Sequence, residues 1–120
     1  MREHMGVFRG QLIDQDDWVD GSLVLHGEDV MIFAVRDWPY GTGLFHVDPR
    51  TVDECTGVSN KNGVLLFEND RILTKHGVRE IVFETGCFRA KKPGTDLAAD
   101  LRPYMKEINF EFEVLGRCEK

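Results

Sequence analysis

The sequence predicts a mainly β fold: about seven short antiparallel strands in a bent sheet or partly open barrel, capped by a C-terminal α-helix. Twelve glycines spread along 120 residues mark many tight turns. Between them lie short apolar runs rich in Val, Ile and Phe, which favour strands. After Pro93-Gly94 the spacing of apolar residues changes from two to steps of three and four, the signature of one amphipathic helix.

In chain order, Val7 to Ile13 reads as the first strand, and the acidic stretch Asp14 to Gly21 follows as a turn. Ser22–His26 and Val30–Val35 form an antiparallel hairpin around Gly27-Glu28, the second strand apolar enough to be buried on both faces. Residues 36–43 form a loop, because Pro39 bars a central strand and Gly41 and Gly43 follow it. Leu44–Val47 is a strand, Asp48-Pro49-Arg50 a bend, and Val52–Val58 an extension beyond it. Asn62-Gly63 favours a turn with positive φ before the strand Gly63–Phe67. Arg71–Thr74 and Val78–Glu84 are strands separated by a turn at His76-Gly77, and Cys87–Lys92 is a basic excursion. Thr95 is the expected N-cap of the helix, with Asp96 in its first turn and Leu97, Leu101, Met105 and Ile108 along one stripe. Pro103 inside that stripe should kink or split it. Residues 109–120 read either way: Phe112 and Leu115 continue the stripe, whereas Phe110 to Val114 alternates like a strand.

The segments "GSLVLHGEDVMIFAV", "GLFHVDPRTVDECTGV", "GVLLF", "VREIVFET" and "TDLAADLRPYM" follow one another in an order that resembles the pleckstrin-homology (PH) superfold. The resemblance is nearest to GRAM domains and bacterial PH-like domains and covers roughly residues 20–108. It is carried by element order and apolar pattern, and it implies a binding module. Phosphoinositide-reading relatives carry a basic loop between their first two strands. Here that loop holds Asp14, Asp16, Asp17 and Asp20, with no Lys or Arg between Arg9 and Arg36. The sign is wrong for that headgroup, and no lipid-binding residue carries over.

Size and composition fit one domain: residues 1–5, where His4-Met5 resembles a cloning scar, read as a tag remnant or disordered start, and 6–120 as the single PH-like domain. No apolar run approaches the roughly 20 residues needed to cross a bilayer as a helix, and the N-terminus lacks a signal-peptide apolar region, so a cytoplasmic location is expected. Cys55, Cys87 and Cys118 are odd in number and widely spaced, which points to reduced thiols rather than disulfides or structural zinc. The net charge of −6 is uneven, with four basic and eleven acidic side chains in residues 1–60 against eleven and ten in 61–120. An acidic chain repels polyanions, so nucleic acid is not an expected partner.

The acidic turn does not fit a calcium loop. Starting at Asp14 puts Trp18 at position five and Val19 where glycine is required, and starting at Asp16 puts Trp18 at position three. A solvated turn is the reading, with no metal, cofactor or catalytic set. His4, His26, His46 and His76 are scattered, no cysteine has an activating neighbour, and Ser22 and Ser59 sit in no nucleophile elbow. The expectation is therefore a non-catalytic interaction module, an adaptor or a subunit of a larger assembly, with a protein partner. Candidate contact residues are Trp38 and Tyr40 in the loop, and the cations Lys75, Arg79, Arg89, Lys91 and Lys92. The same cations leave open a peripheral membrane lipid or another anionic ligand, a self-paired sheet edge leaves open a homodimer, and a small enzyme is the remaining, less favoured alternative.

Overall fold

The computed structural model describes residues 7–34 and 41–118. The expectations placed on residues 1–5 and on Trp38 and Tyr40 lie outside the described residues. The fold is mainly β, with two antiparallel sheets and one helix towards the C-terminus. The chain divides into two compact units, one up to Cys55 and one from Thr56 onward.

The first unit is built on strands β1 (Val7–Gln11), β2 (Trp18–His26), β3 (Asp29–Ala34) and β4 (Gly43–His46), hydrogen-bonded in the order β4-β3-β2-β1. The first residues of β5 (Asp53–Ser59) pair beyond β1, Arg9 facing Asp53. The expected hairpin is present, with Leu23 opposite Ile32 and Leu25 opposite Val30. Strand β2 begins earlier than the sequence suggests, because Trp18 pairs with Gln11 and Val19 with Gly10. Val19 is thereby buried with Leu12, Ile32, Ala34 and Val47 in one small core. Two glycines make this possible by having no side chain. A Cβ on Gly21 would sit 2.1 Å from the Phe33 carbonyl oxygen, and one on Gly10 would sit 3.0 Å from Val47 Cβ. The sheet curls until its two ends meet: Leu12 bridges Val47, and Asp48 N–H donates to the Gln11 carbonyl at 2.9 Å. The expected bend at Asp48-Pro49-Arg50 is a turn of 3₁₀ helix over Pro49–Thr51, capped by the Asp48 side chain.

The second unit contains the rest of β5, then β6 (Leu65–Phe67), β7 (Asp70–Thr74), β8 (Gly77–Glu84), β9 (Cys87–Lys91), β10 (Ala98–Asp100), helix α1 (Leu101–Glu107) and β11 (Glu113–Arg117). Its five-stranded sheet runs β10-β9-β8-β7-β11. Eleven short strands therefore stand among the described residues where about seven were anticipated. The basic excursion is itself a strand, β9, registered along β8 with Ile81 opposite Ala90. The ambiguous tail resolves as β11, paired with β7.

The helix starts five residues later than expected. Thr95 does not cap it: its hydroxyl donates to the Lys92 carbonyl and accepts from Leu97 N–H, which closes a turn. Leu97, expected in the apolar stripe, is 68% exposed. Asp100 occupies the N-cap position, and Pro103 falls in the first turn, where no intrahelical N–H is required, so it starts the helix rather than kinking it. The other end closes in a Schellman motif. Phe110 N–H donates to the Met105 carbonyl, Asn109 N–H donates to that of Lys106, and Asn109 takes the left-handed conformation at φ 59°. Leu101, Tyr104, Met105 and Ile108 then bury one stripe against Ile72, Ile81 and Ala90.

Candidate functional site: a basic groove beside the helix

Side chains in β8 alternate across the sheet, and this separates the candidate cations. Arg79 pairs across from Ile72 and is two residues from Ile81, so it shares the face that carries α1. Lys92 is two residues beyond buried Ala90 and returns to the same side. Together they line a groove of about 440 Å³ bounded by α1, through Tyr104 and Glu107, and by β10, through Ala98 and Ala99. Arg89 and Lys91 pair across from Val82 and Glu80, on the opposite face. Lys75 lies exposed in the turn between β7 and β8.

The groove floor is held by a hydroxyl pair. Thr74 Oγ1 and Tyr104 Oη lie 2.8 Å apart and buried, while Thr74 Oγ1 also donates to the Gly77 carbonyl and accepts from His76 N–H. This network fixes the tight turn and docks α1 on the sheet in one position. His76 Nε2 is 2.9 Å from Glu107 Oε2, so the one carboxylate in the groove wall is already engaged. The Arg79 guanidinium stands 6.0 Å from the Tyr104 ring centroid and donates to the Val78 carbonyl. Among the described residues, no carboxylate forms an ion pair with Arg79 or Lys92. Arg89 differs: its Nη1 is 2.7 Å from Asp100 Oδ1, and its Nε is 3.8 Å from Glu84 Oε1. The groove thus presents two cations beside β10, the last strand of its sheet, whose outer edge pairs with no strand among the described residues.

Reading the sequence as one basic cluster joined residues that the pleat sets apart. It also missed Tyr104. With Asp100 as N-cap, Leu101, Tyr104, Met105 and Ile108 fall at i, i+3, i+4 and i+7, a better helical stripe than one beginning at Leu97.

In the first unit, Asp14, Asp16 and Asp17 are exposed at the tip of the β1–β2 hairpin, closed by a bond from Leu12 N–H to the Asp17 carbonyl. The tryptophan in that stretch belongs to the sheet. The Arg9 guanidinium lies 5.5 Å from the Trp18 ring centroid and is anchored by Asp53, whose Oδ2 accepts from Nε at 2.9 Å. Among the described residues no group of three His, Cys, Asp or Glu side chains converges in a way that could hold a metal. No helix among them is long and apolar enough to cross a membrane.

No protein-family model matches the chain. It is similar to the nucleosome-remodeling factor subunit NURF301 of Drosophila melanogaster, 29% identical over an alignment of 79 residues that covers 62% of this chain. The matched segment spans about 3% of the length of that relative.

Proposed function

We propose that this chain is a non-catalytic, PH-like interaction module that binds an acidic, extended segment of a protein partner in the groove between α1 and β10. The observation that carries this reading is the pairing of Arg79 with Lys92 in one groove, neither matched by a carboxylate among the described residues. Arg79 is half-buried and Lys92 exposed, and a guanidinium partly shielded from water attracts a carboxylate more strongly than a fully solvated one does. The outer edge of β10 offers backbone groups to a segment lying beside it, so charge supplies selection and the strand edge supplies register. The similarity to a protein that is by name a subunit of a larger factor supports a place within an assembly.

A labelled peptide of alternating Glu and Val, followed by fluorescence anisotropy, tests this. Saturable binding is expected, and reversing both groove charges (Arg79→Glu with Lys92→Glu) should weaken it at least about tenfold, the scale of one or two charge-assisted hydrogen bonds. Lys91→Glu, on the other face, should change it less than about twofold. Equal losses from Lys91 and from the groove pair would overturn the assignment. The membrane alternative needs all five cations to act as one surface. Phosphatidylserine vesicles that bind the wild type and lose it equally on reversal of Lys91 or Arg79 would favour that alternative.

A further inference from the structure

We infer a second binding site on the other flank of α1, suited to a small monocarboxylate with an apolar body. There a cavity of about 340 Å³ is walled by Val58, Phe83, Cys87, Phe88, Leu101 and Pro103. Phe83 and Phe88 brace one wall in an edge-to-face contact, with ring centroids 5.0 Å apart and planes at 73°. Phe83 is nevertheless 51% exposed, so apolar surface beside the cavity remains in water unless something covers it.

Two charged residues also line this cavity, and their situations differ. Asp100 is engaged by the Arg89 guanidinium at 2.7 Å and lies 3.7 Å from the Cys87 sulfur, so its charge is already answered. Arg102 is placed across the cavity lining. A Cβ built on Gly57 would lie 3.9 Å from its Nη2, which puts the guanidinium over the β5 backbone between Thr56 and Val58, both lining residues. Among the described residues no carboxylate pairs with it. A half-open, mainly apolar cavity with one guanidinium that no carboxylate answers among the described residues matches a ligand with one negative end and an apolar remainder. A dianion is disfavoured, because a single cation serves the site and Asp100 shares the wall. The volume lies at the lower end of the roughly 300–1,000 Å³ typical of small-molecule pockets, which limits the ligand to the size of octanoate or an aryl carboxylate. The site shares no lining residue with the basic groove.

The test is a titration of the full chain with octanoate and, separately, octanol, followed by ¹H–¹⁵N correlation spectra. Octanoate should cause saturable shifts at Phe83, Cys87, Phe88 and Arg102 at millimolar concentration. Arg102→Ala, an exposed substitution, should weaken octanoate about tenfold while leaving octanol within about twofold, because only the carboxylate loses its partner. As a second variant, Cys87→Phe fills the pocket and should abolish binding of both. The inference is overturned if octanoate gives no saturable shifts, if Arg102→Ala binds it as the wild type does, or if the shifts centre on His76 and Arg79.

Discussion

Arg9 shows how one side chain can decide several contacts. It holds Asp53, whose side chain is fully buried, and covers the face of Trp18. Removing it takes the cation away from a buried carboxylate, so Arg9→Ala should cost about 3 kcal/mol in urea unfolding. The double variant Arg9→Met/Asp53→Leu should recover most of that loss, since the uncompensated charge is gone. Gly21 is constrained differently, by proximity: Gly21→Ala must push the Phe33 backbone away and should destabilise by about 2 kcal/mol or more. Cys118 offers a readout in pH. Burial pushes its thiol up, with Glu80 and Asp70 adding and Arg71 and Arg117 opposing. A raised value means less thiolate at a given pH. Iodoacetamide should therefore alkylate Cys118 more slowly than free cysteine at pH 8, and its rate should keep rising at pH values where the free thiol has levelled off.

Among the elements, α1 is the most informative. Its two ends rest on local chemistry that the sequence contains, yet the start was misplaced and the end was left open. Thr95 is as good a cap as Asp100 by residue type, and what separates them is non-local: Ala98–Asp100 pairs with β9, which removes those residues from the helix. Because β9 itself read as a basic excursion with no strand assigned, its partner could not be anticipated either. The β2–β3 hairpin, by contrast, was legible because its turn and both apolar strands lie within a few residues of one another. The revised boundaries carry their own test. Pro103→Ala should change stability by no more than about 1 kcal/mol in either direction, whereas a proline in a helix interior distorts it at about 3 kcal/mol. Asn109→Gly should stabilise by about 0.5–1 kcal/mol, because glycine accepts the left-handed cap without a Cβ penalty, and Asn109→Val should destabilise. Thermal melts measure both.

For the molecule as a whole, net charge is a poor guide to what it binds. The chain is acidic, yet the second unit gathers two unmatched cations beside a strand edge. Peptide binding there should weaken as salt rises from 50 to 300 mM, because screening acts on a site only partly shielded from solvent. The candidate site was legible in residue type, since Arg79 and Lys92 stand out in the sequence. It was not legible in arrangement, since whether two cations face the same way depends on a pleat whose strands had first to be recognised. The hairpin tip at Asp14 to Asp17 has a practical consequence. Its acidic residues are exposed, and the bond from Leu12 N–H to the Asp17 carbonyl that closes it is made by main-chain atoms. A short reporter peptide spliced between Asp14 and Gln15 should therefore leave the melting temperature nearly unchanged, giving a handle for immobilising the protein.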